Sequence, residues 1–311
     1  ASQLFKRLRP GTKVLLVGDA DQLESVGAGD VFHELIASGI VPVTKLDEIF
    51  RQAKDSPIPY NARYINEGSS DLCYSREYFQ FIPAATQEEV ADLVCGIYQE
   101  EAEKVGVDQV QVLSPFRARG EASSDNLNEA IRQKVNPYTE TTEEVTCGGR
   151  TFRLLDKVMQ TKNNGSINLY DKNGDVVSSG VFNGETGRIR TIRPGRITVD
   201  FDGRYAGYSL DAADLSYATT IHKALGSEYD TVIIPLLAAH KILLTRNLLY
   251  TAVTRAKRRV VLVGQKKALF MAISASRKGK RNTLLGERIR LYWQERAHTD
   301  SRNGLKVKRA S

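Results

Sequence analysis

The sequence predicts an α/β protein, a parallel sheet covered by helices on both faces, with a smaller antiparallel β module inserted into it. Three observations carry this expectation. Four short apolar runs, at 12–19, 109–114, 230–235 and 259–264, are β-branched and almost continuously apolar, as strands covered on both faces are. Helical patterns lie between them, which is the alternation of α/β folds. From about 148 to 215 the pattern changes to short apolar bursts separated by turn signals.

Taken in order, residues 12–19 read as a buried strand that ends in Gly18-Asp19. Thr86-Gln87-Glu88-Glu89 is a capping box, and Val90, Leu93, Val94, Ile97 and Tyr98 follow at helical spacing. Residues 126–135 repeat the pattern with Leu127, Ile131 and Val135. The inserted module is punctuated by Asn163-Asn164-Gly165, Lys172-Asn173-Gly174, Asn183-Gly184, Arg193-Pro194-Gly195 and Asp202-Gly203. Within it, residues 196–201 alternate apolar and polar at period two, the signature of a half-buried antiparallel strand.

Composition narrows the function classes. With 311 residues, 41% hydrophobic and 26% charged, the chain is neither disordered, collagen-like nor a disulfide-stapled miniprotein. Three cysteines, Cys73, Cys95 and Cys147, show no CxxC and no histidine pairing, so they read as free buried thiols of a reducing compartment. No apolar run approaches the ~18 residues of a membrane span, and charge and proline interrupt the N-terminal residues where a secretory signal would need an apolar stretch. The expectation is a cytoplasmic protein with no membrane partner. The net charge of +7 is unevenly placed: residues 255–311 hold 17 Lys/Arg against three Asp/Glu, and the remainder is net acidic. A basic quarter of this kind suits a polyanionic partner.

Four segments bear chemistry. Gly18-Asp19-Ala20-Asp21-Gln22-Leu23 follows a predicted parallel strand, where side chains project into a ligand crevice. Gln22 there can orient a water or touch a terminal phosphate, and the string fits a polar turn equally well. Arg51 lies between an apolar stretch and a polar loop; by itself it reads as a surface arginine or as a phosphate clamp. The segment 218–230 (ATTIHKALGSEYD) combines Thr220, His222 and Lys223 with a Gly226 turn and Glu228, a set able to meet nucleic-acid phosphates and a nucleotide, or to start a capped helix. The segment 248–264 (LLYTAVTRAKRRVVLVG) places Arg255 on a helix beside Thr251, and Arg255 is a candidate arginine finger for a transferring phosphoryl group.

Order and surroundings make these segments jointly specific. GDADQLESVGAG (18–29), EIFRQAKDSPIPYNARYINEG (48–68), ATTIHKALGSEYD and LLYTAVTRAKRRVVLVG resemble motifs III, IV, V and VI of superfamily 1 helicases. Within that superfamily they resemble RecD, the alpha subunit of exodeoxyribonuclease V, and the stand-alone RecD-like helicases. Weaker echoes are LSPFRARGEASSDNLNEAIRQKVNP (113–137), VFNGETGRI (181–189) and RNTLLGERIR (281–290), so the resemblance spans about 12 to 290.

The resemblance implies a RecA-like fold of the P-loop NTPase type with a small inserted β-barrel at about 150–215. It implies that residues 1–75 are the remainder of a first motor domain and 76–311 a second one. Gln22 would sense the γ-phosphate, and Arg51 and Arg255 would contact phosphates from across the cleft. Gly226 and Glu228 would line the nucleotide site. Thr220 and His222, with Ser114, Pro115 and the loop after them, would touch single-stranded DNA. The implied activity is ATP-dependent translocation on single-stranded DNA, 5′→3′, in recombination and repair. ATP and Mg²⁺ are the implied cofactors of the parent, and other subunits of a helicase–nuclease complex are implied partners.

Three departures qualify this. Glu24 stands where the family usually has Pro, and Ala224-Leu225 where it commonly has Ser-Gln; a leucine cannot make the amide's hydrogen bonds. The largest departure is the lack of a GxxxxGK[ST] loop and of an acidic Mg²⁺ pair at a strand end. Gly279-Lys280 has Ser274 in place of the upstream glycine. The expectation is therefore a C-terminal portion from motif III onward that binds no cofactor tightly and is inactive in ATP hydrolysis alone. The alternative expectation is a non-catalytic DNA-binding or complex-assembly module.

Overall fold

In the computed structural model the described residues are 2–24, 29–46, 56–275 and 283–302. They form two compact units, residues 1–49 with 277–311, and residues 50–276.

The smaller unit contains helices α1 (Ser2–Phe5) and α2 (Val31–Ala37) and the helix Leu285–Arg302. The last packs on α2. Arg290 donates to the carbonyls of Ser38 at 3.2 Å and Ala37 at 3.0 Å, so a cation serves the carbonyls left open at the end of α2. Thr283 Oγ1 donates to Glu34 Oε2 at 2.9 Å. The strand expected at 12–19 is not formed. No strand pairs with it among the described residues, so its backbone has no ladder and its apolar side chains no sheet face; Leu15 and Val17 are 86% and 85% exposed.

The larger unit begins with α3 (Ile58–Glu67) and β1 (Phe79–Pro83), followed by α4 (Gln87–Val105), β2 (Val110–Ser114) and α5 (Ser124–Val135). It continues with the hairpin β3 (Glu144–Cys147) and β4 (Arg150–Arg153). Then come β5 (Lys157–Gln160), β6 (Asn164–Tyr170), β7 (Val176–Val181), β8 (Thr186–Arg193), β9 (Arg196–Asp200), β10 (Tyr205–Ser209) and β11 (Ala213–Leu215). The chain closes the unit with β12 (Ala218–Thr220), β13 (Tyr229–Leu236), α6 (Arg246–Val253), β14 (Ala256–Gly264) and α7 (Lys266–Ser274).

Strands β1, β14, β13, β2 and β12 form one sheet in that order, and every pairing in it is parallel. The three apolar runs expected in this unit are β2, β13 and β14, and β2 is buried throughout. The capping box forms as read: Thr86 Oγ1 accepts from Glu89 N at 3.1 Å, and Glu89 Oε2 accepts from Ala85 N at 2.7 Å. The face of α4 carrying Val90, Val94 and Tyr98 packs on β2 and β13. Glu101 lies on that face and is buried. It accepts from Lys104 Nζ at 2.8 Å, Arg259 Nη1 at 3.0 Å, Thr231 Oγ1 at 3.1 Å and Arg258 Nη2 at 3.2 Å. Burial alone raises a carboxyl pKa, but these donors overcome it and hold Glu101 below the usual range.

The turn-rich block forms a seven-stranded antiparallel sheet, ordered β11-β5-β8-β9-β10-β6-β7. Residues 196–201 alternate as expected, with Ile197, Val199 and Phe201 buried in the module's own core. Two buried polar knots join module and parallel sheet. Asp156 accepts from Arg153 N at 2.7 Å, Asn136 Nδ2 and Tyr217 Oη at 2.9 Å, and Arg132 Nη1 at 3.5 Å. Lys157 Nζ donates to the carbonyls of Val110 at 2.9 Å and Val107 at 3.2 Å and to Gln111 Oε1 at 3.1 Å.

Ile58 and Ile65 of α3 are fully buried and α3 packs on α6 and β14, so α3 groups with the larger unit, and residues 277–311 group with the smaller one. One expectation is corrected here. Of the three free cysteines only Cys95 is buried, its thiol pushed up to about 11 by desolvation, while Cys73 is exposed and Cys147 half-buried.

Candidate functional site

The parallel sheet sorts the candidate residues to its two ends. Ser114 ends β2 and Thr220 ends β12, and they are register partners, so both stand at carboxyl ends of neighbouring strands. Gly226 and Glu228 precede the amino end of β13, and Arg255 precedes the amino end of β14. The turn 221–226 carries the chain from one end to the other.

At the amino end, Arg255 is not on the helix as its spacing suggested; α6 stops at Val253 and Arg255 lies in the turn before β14. Arg255 is 4% exposed, and its guanidinium donates to Ser227 O at 3.2 Å, Thr251 O at 3.3 Å and Thr254 Oγ1 at 3.5 Å. Its backbone oxygen accepts from Tyr229 N at 2.9 Å. Thus Arg255 and the Gly226–Ser227–Glu228 loop are brought together, though 27 to 29 residues separate them in sequence. Gly226 has φ +88°, a left-handed conformation that favours glycine, and an added Cβ would meet no atom within 4 Å. Glu228 Oε2 lies 3.9 Å from Lys257 Nζ.

Beside this loop a cleft of about 390 Å³ opens toward the β module, lined among others by Glu185, Asp202, Arg204, Lys223, Leu225 and Gly226. The departure at Ala224-Leu225 falls here: Ala224 is buried, and Leu225 presents an apolar side chain to the cleft.

At the carboxyl end, Ser114 and Pro115 are buried. Ser114 Oγ donates to Ala122 O at 2.8 Å and accepts from Phe116 N at 3.3 Å, so this hydroxyl shapes the following loop. The loop exposes Arg117 and Arg119. Thr220 is half-buried and His222 exposed. Sequence reasoning passed over Asp214, whose carboxylate meets Lys223, Arg117 and Arg150. Arg117 and Lys223 sat inside strings already singled out; nothing in the sequence marks Arg150 or Asp214, which are joined only by folding.

In the smaller unit, Gln22 Nε2 donates to Asp19 Oδ2 at 2.9 Å, and Asp19 Oδ1 accepts from Asp21 N at 3.0 Å. Gln22 therefore sits in an Asx-type turn, half-buried. Arg51 and the rest of 47–55 lie outside the described residues. Among the described residues no group of three or more His, Cys, Asp or Glu could hold a metal ion, and no helix is long and apolar enough to cross a membrane.

The UvrD-like helicase C-terminal domain matches residues 215–263, the SH3 domain of ATP-dependent RecD-like DNA helicases matches 127–201, and an AAA domain matches 1–82. The ATP-dependent RecD2 DNA helicase of Deinococcus radiodurans is 36% identical over 294 residues, which is 93% of this chain and 38% of that protein. The RecBCD enzyme subunit RecD of Mycolicibacterium smegmatis is 30% identical over 306 residues, 93% of this chain and 51% of that protein. The chain thus spans about half the length, or less, of these relatives. Among solved structures, a Bacteroides Pif1 helicase in complex with ADP-AlF3 and ssDNA aligns over 89% of this chain and 66% of its own, at 16% identity and a TM-score of 0.47.

Proposed function

We propose that this chain, which is similar to the RecD-like helicases over most of its length, is one of them and supplies the second half of an ATP-dependent motor on single-stranded DNA, working 5′→3′ in recombination and repair. The observation that carries the reading is the Arg255 to Ser227 contact, which unites the segments resembling motifs V and VI at one end of the sheet. Residues 1–75, with Gln22, are the remainder of the first motor domain and residues 76–311 the second, with the β module helping to hold the strand. ATP is contacted from this chain by Arg255 and by the loop of Gly226 and Glu228. The chain lacks GxxxxGK[ST], so these residues form one wall of a nucleotide site and the phosphate cradle and Mg²⁺ ligands come from elsewhere. Thr220, His222 and the loop after Ser114-Pro115 take the strand. Arg51 contacts phosphate from the motif IV segment. Other subunits of a helicase–nuclease complex are partners on this reading, and the setting is cytoplasmic.

The test joins these residues to a GxxxxGK[ST]-bearing motor half and measures ATP turnover with and without single-stranded DNA. Arg255→Ala abolishes DNA-stimulated turnover and spares most DNA binding. Full turnover in that variant rejects the arginine-finger role. The chain by itself is expected to hydrolyse no ATP; turnover that scales with protein and is lost with Arg255 overturns this.

A further inference from the structure

Asp214, in the middle of β11, has a side chain 16% exposed, and cations from three separate segments reach it. Lys223 Nζ, from the turn after β12, lies 3.3 Å from Oδ2. Arg117 Nη2, from the loop after β2, lies 3.6 Å from the same oxygen. Arg150 Nη1, from β4, meets Oδ1. Arg117 also stands 3.6 Å from Asp125. The side chains of Arg117 and Arg150 are 53% and 51% exposed and that of Lys223 32%, so the cationic heads face solvent around a carboxylate that mostly does not.

Three cations on one carboxylate leave a local positive excess. A carboxylate and a phosphodiester offer a guanidinium the same thing, a pair of anionic oxygens in a plane with its N–H fork. Two of the three cations come from the loop after Ser114-Pro115 and the turn holding His222, and the third comes from the β3–β4 hairpin. The cluster is open and spread over three elements, as a groove that tracks a strand backbone must be.

We propose that Arg117, Arg150 and Lys223 form a binding site for a backbone phosphate of a nucleic-acid strand, and that Asp214 is the internal anion that positions these side chains and competes with the strand for them. This rests on the nucleic-acid reading of the same end of the sheet. When a strand arrives, the half-exposed heads turn part of their hydrogen bonding to the phosphate, and Asp214 opposes that transfer by its charge. Asp214 therefore sets affinity without touching the strand.

The test is fluorescence anisotropy of labelled oligo(dT) with the 311-residue chain across a salt series, for wild type, Asp214→Asn, Arg150→Ala and Lys223→Ala, each checked for folding by thermal unfolding. Asp214→Asn, which removes the charge at nearly constant shape, binds about three- to fivefold tighter, the scale of one part-exposed ion pair. Arg150→Ala and Lys223→Ala bind more weakly, and each makes the salt slope shallower by about one. Asp214→Asn that folds and binds no tighter than wild type overturns the proposal while leaving the motor reading in place. If Asp214→Asn does not fold, the two cation variants decide, and unchanged affinity and salt slope in both overturn it. Displacement of the oligonucleotide by millimolar inorganic phosphate or ATP, lost in Arg150→Ala, overturns the strand assignment in favour of a free phosphate or nucleotide. No binding by wild type or Asp214→Asn at low salt sinks the nucleic-acid reading itself.

Discussion

Arg255 donates from Nη1 to the backbone oxygen of Ser227 at 3.2 Å, and its own backbone oxygen accepts from Tyr229 N at 2.9 Å. The turn after α6 and the approach to β13 are thereby tied twice, once by side chain and once by backbone. A guanidinium can hold carbonyls from both segments because its donors are set in a planar fork.

The first prediction concerns that fork. Arg255→Ala in the isolated chain lowers unfolding free energy by about 2 kcal/mol, the scale of lost hydrogen bonds to a charged group. Arg255→Lys recovers little of it, because one ammonium does not reproduce the fork. Urea unfolding of the three proteins measures this; a lysine variant as stable as wild type refutes it.

The turn at Gly226 offers a purely conformational test. Gly226→Ala meets no atom within 4 Å, so any cost comes from φ +88°. About 1 kcal/mol is expected, at the lower end of the left-handed penalty for a residue with a Cβ. Gly226→Asn costs less, since asparagine tolerates this conformation. Equal denaturation midpoints for alanine and glycine would contradict the geometry.

Glu101 makes stability acid-sensitive. Its folded pKa is depressed, so its contribution is full above the ordinary glutamate pKa of about 4.3 and is lost as pH falls through the lower folded value. Glu101→Gln costs about 2–3 kcal/mol at neutral pH, because Arg259 loses its buried anion while Arg258 and Lys104 stay partly in water. It also flattens the acid limb of the stability profile. Chemical denaturation from neutral pH down to about pH 3, a unit or so below that pKa, distinguishes the two proteins.

Lys157 acts in the opposite direction along the pH axis. Complete burial pushes its ammonium down to about 7. Between that value and the unfolded lysine pKa of about 10.4, the unfolded chain binds more protons than the folded one, so this group's contribution raises stability as pH climbs through that window. Below about 7 both states are protonated and the slope vanishes. Lys157→Met removes the slope, which unfolding at a series of pH values up to about 9 would register; a wild-type slope kept in the methionine variant excludes Lys157 as its source.

Much of the fold was legible because it rests on local rules. The box at Thr86–Glu89, the β-branched runs of β2, β13 and β14, and the Asn-Gly and Pro-Gly turns of the module each declare themselves within a few residues. The failure at 12–19 has a physical reason as well. Its apolarity is that of a strand, but a strand exists only with a neighbour, and none pairs with it among the described residues. For the candidate site, the strings holding Thr220, His222, Gly226, Glu228 and Arg255 could be read directly, whereas the burial of Ser114 and the assembly around Asp214 could not.

The sequence by itself determined the strands β2, β13 and β14, the helices α4 and α5 and the turns of the antiparallel module, and it carries the likeness to the RecD-like helicases. These depend on periodicity, caps and short motifs, all of them near-neighbour properties. Only the tertiary structure decided that Arg255 grips Ser227, that Ser114 spends its hydroxyl on Ala122, and that Asp214 gathers cations 9, 64 and 97 residues away. Such contacts are set by the register of the parallel sheet and by the docking of the module against it. Hydrogen bonds and charges act over a few ångströms in space, and separation along the chain does not encode that distance.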